Sequence, residues 1–272
     1  MDSQTPAIRL FDLPGVVAVV TVGGSGIGLM ISSTLIANGA KVYIIGPKQA
    51  DLDRIARLYN AEAEKIPGGG NIIGIEGDIS VKSEAKRLAD EIGSREPYVT
   101  VLFNNAGILA GKFVPPTIPS ASAYVSAFFD SIKHEDFTKV LDTNAVEEEF
   151  TKKFVPHVIM TSSMNGFIDS CTVVSVHVSK SAIGHATSTL AHELLPLGIR
   201  VNGIAPGLFP TEMIMPGSAN EVGVVTFPAD VKLEIQVPAI PSGGTRRDIG
   251  TVALCLVANW FINGETVLVD GG

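Results

Sequence analysis

The chain has little of what marks a metal protein, a disulfide scaffold, a membrane protein or a nucleic-acid binder. Only two of its 272 residues are cysteine, Cys171 and Cys255, and they have no metal-ligand spacing. No metal site is expected, and a reduced, cytoplasmic protein is. No uninterrupted apolar run approaches the roughly 20 residues of a membrane-spanning helix. The opening MDSQTPAIRLFDLPG lacks the basic start and apolar stretch of a secretory leader. Cations are scarce as well: 20 Lys and Arg against 28 Asp and Glu give a net charge of −8, with the cations scattered, which argues against a nucleic-acid partner. Aromatic residues make up 6% of the chain, and its four tyrosines, Tyr43, Tyr59, Tyr98 and Tyr124, all lie in the first half. The second half has no phenolic acid to offer.

What is present is aliphatic. The chain is 46% hydrophobic, as parallel strands buried on both faces require. Strand-like runs at Val16–Val20, Lys41–Ile45, Ile72–Glu76, Thr100–Phe103, Val158–Thr161, Arg200–Ile204 and Thr266–Val269 alternate with helix-like segments. The helices fall at Gly28–Asn38, Asp51–Glu64, Val81–Glu91, Val140–Phe154, Val178–Leu195 and Asp248–Ala258. Such alternation predicts an α/β fold with a doubly wound parallel sheet. No repeat or second domain interrupts it, so residues 1–272 read as one domain. Ala110–Glu135 and Leu208–Pro241 are long for loops and should carry function. In open α/β sheets ligands bind beyond the carboxyl ends of the strands, where both loops emerge.

The stretch VVAVVTVGGSGIGLMI is a strand, a glycine turn and a helix start. Free backbone N–H groups at such a helix start hold a pyrophosphate, and glycines let it approach. A tight structural turn is the plainer alternative. At the end of the second strand, IIGPKQADLD has Gly46 and Lys48 and no acid before Asp51. An acid there would bind a ribose 2′-hydroxyl and a cation the 2′-phosphate, so the stretch favours NADP(H). The alternative is that Lys48 is simply a solvated lysine at a helix start.

TVGGSGIG, GDIS, NNAG, S-x-x-G with a lysine seventeen residues on, IRVNGIAPGLFPTEM and the ending NGETVLVDGG closely resemble the short-chain dehydrogenase/reductases. The resemblance runs in the family's motif order from about Phe11 to Gly272. It implies a Rossmann-like sheet, a nicotinamide cofactor, a small-molecule substrate and a homo-oligomer. Position by position, it places Thr21, Gly23, Ser25, Gly26, Ile27 and Gly28 in the cofactor loop. Val22 stands where the family's first glycine belongs, and since β-branched residues disfavour positive φ, Gly23 is expected to take over the turn. Asp78 and Ile79 would border the adenine, and Asn105, Ala106 and Gly107 would support the sheet beside the cofactor. Pro206, Gly207 and Thr211 would flank the nicotinamide, with Lys180 on its ribose.

The family's chemistry uses a serine that orients the substrate oxygen and a tyrosine that protonates it. A lysine lowers the tyrosine pKa and an asparagine supports a proton relay. Ser163, Lys180 and Asn144 take three of these roles, and the tyrosine position holds Val176. His177 is a helical step of about 100° away, and Cys171 reads as a small buried hydrophobe. A positioned general acid is worth about 10²–10⁴ in rate, so ordinary ketone reduction is disfavoured. Between Asn144 and Ser163 the chain is several residues shorter than the family usually is, in the helix that commonly forms the subunit interface.

An iminium substrate needs no acid, because hydride neutralises its charge directly. A carboxylate that stabilises positive charge would help, and Asp169 can reach the pocket rim by its place in the sequence; it reads equally as a loop or N-cap aspartate. The absent tyrosine and this aspartate resemble, in logic, reductases of fungal indole-alkaloid pathways that reduce an iminium-type substrate with NADPH and then shape an intramolecular Diels–Alder cyclisation. A nucleotide binder without chemistry, and a residual carbonyl reductase, are the alternatives.

Overall fold

The computed structural model describes residues 10–107, 157–167, 174–228 and 243–272. Seven strands lie in one parallel sheet: β1 Val17–Thr21, β2 Lys41–Gly46, β3 Asn71–Glu76, β4 Val101–Asn104, β5 His157–Thr161, β6 Arg200–Pro206 and β7 Thr266–Val269. Their order is β3-β2-β1-β4-β5-β6-β7. The helices are α1 Gly26–Ala37, α2 Gln49–Ala63, α3 Lys82–Arg95, α4 Val174–Glu193 and α5 Arg246–Ala258. The expected helix at Val140–Phe154, the expected loop Ala110–Glu135, Asn144, Asp169 and Cys171 lie outside the described residues, as does the latter part of the loop expected at Leu208–Pro241.

Alternation along each strand builds two cores. Ala18, Val20, Val42, Ile44 and Phe103 point to one face of the sheet, against Leu29 and Leu35 of α1 and Ile249, Ala253 and Leu256 of α5. Val17, Val19, Tyr43, Ile45 and Leu102 point to the other, against Leu88 and Ile92 of α3 and Ile183 of α4. Both faces being covered, every residue of β1 and β5 is buried. The helix α3 shows the other side of the pattern. Only Ala85, Leu88 and Ile92 are buried, at helical spacing, and its outer face is laced by Arg87 with Glu84 and Glu91. Truncating Leu88, which is fully buried, to Ala would cost about 2–5 kcal/mol.

Helix ends follow local chemistry. Gly39, at φ 98°, ends the first helix-loop, its N–H bonding Ile36 O. Thr245 and Asp248 form a capping box that starts α5: the Asp248 carboxylate accepts from Thr245 N at 2.8 Å and from its hydroxyl at 2.6 Å. Those bonds hold the Asp248 carboxyl below its ordinary pKa.

The strand order reverses between β1 and β4, which are hydrogen-bonded neighbours that are not consecutive. That reversal opens a crevice beyond their carboxyl ends. The ends of β4, β5 and β6 continue the same edge, each in parallel register with the next.

Candidate active site

The crevice deepens into a cavity of about 360 Å³ that runs from the glycine turn after β1 to α4 and the segment after β6. Ser25, Gly26 and Ile27 line it at one end. Here α1 begins with Ser25 extended, with no side-chain bond capping the helix and no acidic residue in its first turn. An anion is the natural partner of such a helix start.

The turn itself is not built as the sequence suggested. Val22 adopts φ 51° and Gly23 does not take positive φ. The reason lies in packing on both sides. A side chain on Gly23 would meet Ile44 at 2.7 Å and Val20 O at 2.8 Å, and one on Gly28 would meet Val22 O at 2.3 Å and Asn105 Nδ2 at 2.7 Å. Gly23 is therefore the residue that lets the loop lie on β2, and Gly28 the one that lets α1 press against the Val22 carbonyl. The bend falls to Val22.

Several other residues assigned to the cofactor tie the strand ends together or pack on the core. The buried Thr21 hydroxyl accepts from Asn105 N and Ala106 N, both at 2.9 Å, and donates to Phe103 O at 3.3 Å. The Asn105 amide donates to Thr21 O at 3.1 Å while its residue also lines the cavity, as does Gly107. Ile79 packs on the second core. Asp78 lies in a separate depression with Pro47, Gln49 and Glu76, and its carboxylate accepts from Ser80 N and Ser80 Oγ.

Lys48 is the exposed residue before α2. The sequence around it shows no acid, but the sheet supplies one. Glu76 at the end of β3 pairs in register with Gly46, and its carboxylate accepts from Gln49 N, the first helical N–H of α2, at 2.9 Å. The Gln49 side chain returns the bond to Glu76 N at 2.9 Å. A pair 27 residues apart in sequence is invisible without the strand register.

The far end of the cavity joins two elements. A 3-10 turn, Met164–Gly166, follows β5, with Ser163 extended before it and the Ser163 hydroxyl accepting from Asn165 N at 3.2 Å. This turn is pressed on α4: a side chain on Gly166 would lie 2.9 Å from the Lys180 carbonyl. The Ser162 hydroxyl donates to Lys180 O at 2.7 Å, and the Ser181 hydroxyl to Gly166 O at 3.1 Å. The S-x-x-G glycine thus fixes Ser163 relative to Lys180, seventeen residues away.

The Lys180 ammonium donates to Thr161 O at 2.8 Å. Desolvation pushes its pKa down to about 8. Val176, one helical turn before it, is buried and lines the cavity with Ser163 and Lys180; His177 does not line it. Pro206, Gly207 and Thr211 line the wall that follows β6. Leu208, Phe209, Met213 and Ile214 make the rest of that wall apolar, and Glu212 is its carboxylate. Among the described residues no tyrosine lines the cavity. The described residues contain no His/Cys/Asp/Glu group that could hold a metal ion, and no helix long and apolar enough to cross a membrane.

With this geometry in view, the family model of the short chain dehydrogenases matches residues 16–222. The chain belongs to the short-chain dehydrogenase family. It is 32% identical to the short-chain dehydrogenase/reductase VdtF of Byssochlamys spectabilis, over 98% of this chain and 95% of that one. Identity to PhomF of Diaporthe leptostromiformis, a protein of the same description, is 31% over 99% and 96%. A plant relative, the chloroplastic NADPH-dependent aldehyde reductase 1 of Arabidopsis thaliana, is 29% identical over 82% and 75%. Among solved structures, the fold matches a short-chain type dehydrogenase/reductase from Mycobacterium marinum with a TM-score of 0.77 at 23% identity, over 97% and 98% of the two chains. It also matches an RhlG/NADP active-site complex from Pseudomonas aeruginosa with a TM-score of 0.75 at 24% identity, over 97% and 98%. The family is one of oxidoreductases, and the cavity lies where an open α/β sheet binds its ligand.

Proposed function

We propose that this family member is an NADP(H)-dependent reductase of a cationic imine, acting in secondary, alkaloid-type metabolism in the cytoplasm. The observation that carries the reading is Val176, an isopropyl group on the cavity wall beside Ser163 and Lys180, at the position from which the family's tyrosine would protonate an alkoxide.

The residues fit a dinucleotide. The uncapped start of α1 suits a pyrophosphate, and the cavity is continuous from there to Lys180 and Gly207. Bound NADPH would supply the hydride. Ser25, Gly26 and Ile27 would hold its phosphates and Lys180 the ribose on the nicotinamide side. Preference for the 2′-phosphate rests on Lys48 and on Gly46 in place of an acid; Glu76 opposes it. The Arabidopsis relative's description, which includes NADPH dependence, supports the same choice.

Hydride addition to a ketone leaves an alkoxide that must be protonated, and Val176 cannot do so. Hydride addition to a cationic C=N carbon balances without a proton: the new C–H bond forms, and the π pair settles on nitrogen as the lone pair of a neutral amine. Ser163 then orients the substrate, Asn144 takes the role of the family's relay asparagine, and Asp169 stabilises the positive charge before transfer. Replacing Asp169 with Asn should lower imine turnover about tenfold to a hundredfold and leave cofactor affinity unchanged, the loss expected for one charge-assisted contact; full turnover in that variant would remove Asp169 from the site. Any intramolecular Diels–Alder cyclisation is a later step on the reduced product, seen as a second product that forms only with enzyme present.

The test of the main reading is Val176→Tyr. Overpacking should cost about 1–3 kcal/mol, while ketone reduction should appear or rise, because Ser163 and Lys180 already stand at the family's spacing. A folded, NADPH-binding variant with no gain on any ketone would contradict the placement of Val176.

A further inference from the structure

The wall of the cavity that follows β6 ends in a carboxylate set among apolar side chains. Glu212 lines the cavity between Thr211 and Met213, and is exposed. Among the described residues it takes part in no salt bridge: every such carboxylate is Asp51, Glu62, Glu84, Asp90, Glu91 or Glu96. We propose that Glu212 is the specificity-determining residue of the mouth, selecting a lipophilic organic cation as substrate. This rests on the imine-reductase reading and names what that site recognises.

The backbone holds Glu212 in place. Thr211 is buried, and its carbonyl accepts from Ile214 N at 3.0 Å and Met215 N at 2.9 Å, which closes a helical turn around Glu212. The Thr211 side chain lies against Gly26, whose added Cβ would be 3.4 Å from it. The carboxylate is thus carried on a turn braced by the same glycine loop that starts α1.

Its neighbours define the rest of the ligand. Met213 and Ile214 are 51% and 45% exposed although both line the cavity. Two exposed hydrophobes beside a carboxylate without a salt bridge among the described residues offer apolar area and negative charge to the same molecule. A hydrated metal ion would gain nothing from Met213 and Ile214, and a neutral hydrocarbon would gain nothing from Glu212. An organic cation uses both. Lys180 is the sole Lys or Arg among the described lining residues, and its ammonium is bound to Thr161 O at the far end. The net charge of −8 adds a long-range field that concentrates cations at the protein.

The test uses N-methyl-3,4-dihydroisoquinolinium, a permanent iminium cation, and 1-tetralone as its neutral counterpart of similar shape. Binding is measured by calorimetry on the full chain saturated with NADP+, so no hydride is available. Glu212→Gln should weaken the cation about fivefold and leave the ketone nearly unchanged. NADP+ affinity should not weaken, and Glu212→Asp should keep most of the cation binding. Added salt should erode the wild-type preference for the cation more than that of Glu212→Gln. Equal losses for both probes, or no loss for the cation, would overturn the proposal. The reductase reading fails separately: a wild type that binds the cation but does not reduce it with NADPH overturns that reading, while the binding comparison still decides Glu212.

Discussion

Replacing Val22 with Gly should stabilise the protein, against the usual effect of putting glycine into a loop. Val22 sits at φ 51°, where an L-residue pays about 1–2 kcal/mol and a β-branched one is a genuine outlier. Glycine carries no such cost but loses roughly 0.5–1 kcal/mol through the greater freedom of its unfolded chain. The Val22 side chain is half-buried and borders the cavity, so little core packing is lost with it. The balance is a gain of about 1 kcal/mol, or a Tm rise of about 2–4 °C for a chain of this size. The control is Val22→Ala, which keeps a Cβ and therefore most of the backbone strain. Thermal unfolding of the three proteins without cofactor reads the result. Glycine should unfold at the highest temperature, with alanine at or below wild type. If glycine and alanine are equally destabilised, the strain at Val22 is not real and the loop is held by the valine side chain.

Two further outcomes follow from groups around the site. Burial lowers the Lys180 pKa from its ordinary 10.5 to about 8, so between those values the unfolded chain binds more protons than the folded one and stability rises with pH. Denaturant unfolding of wild type and Lys180→Met should therefore show wild type gaining on the variant from about pH 8 to 10.5 and holding a constant difference below 8; a gain confined to lower pH would contradict the assignment. Glu76→Gln removes the charge from the start of α2 and should tighten NADPH about two- to fivefold with NADH nearly unchanged, as expected for one exposed charge. Equal changes in both cofactors would place Glu76 away from the 2′-phosphate.

Strands were the most legible part of the chain, because buried parallel strands read as aliphatic runs whatever surrounds them. All seven fall within about two residues of where the runs put them. Helix limits drifted further. The helix expected from Val178 begins at Val174, through Val-Ser-Val-His, four residues of middling helix propensity. Ser163, Val176 and Lys180, picked out by motif spacing, all line the cavity, and the packing of Gly166 on the Lys180 backbone ties the turn to the helix. What spacing cannot carry is conformation and register. That Val22 rather than Gly23 bends depends on what each would touch in β2 and α1. Glu76 reaches the α2 start only through its pairing with Gly46. No motif singles out Glu212 in the sequence; its place on the cavity lining depends on how the segment after β6 folds.

The most direct measurement is hydride transfer by the wild-type enzyme with NADPH, followed by loss of absorbance, on N-methyl-3,4-dihydroisoquinolinium and 1-tetralone side by side. A missing general acid should separate them by about 10²–10⁴ in kcat/KM in favour of the iminium, and Val176→Tyr should narrow that gap by raising the ketone rate. Equal turnover of the two by wild type, or a ketone preferred over the iminium, would mean that another group supplies the proton and that Val176 does not define the chemistry.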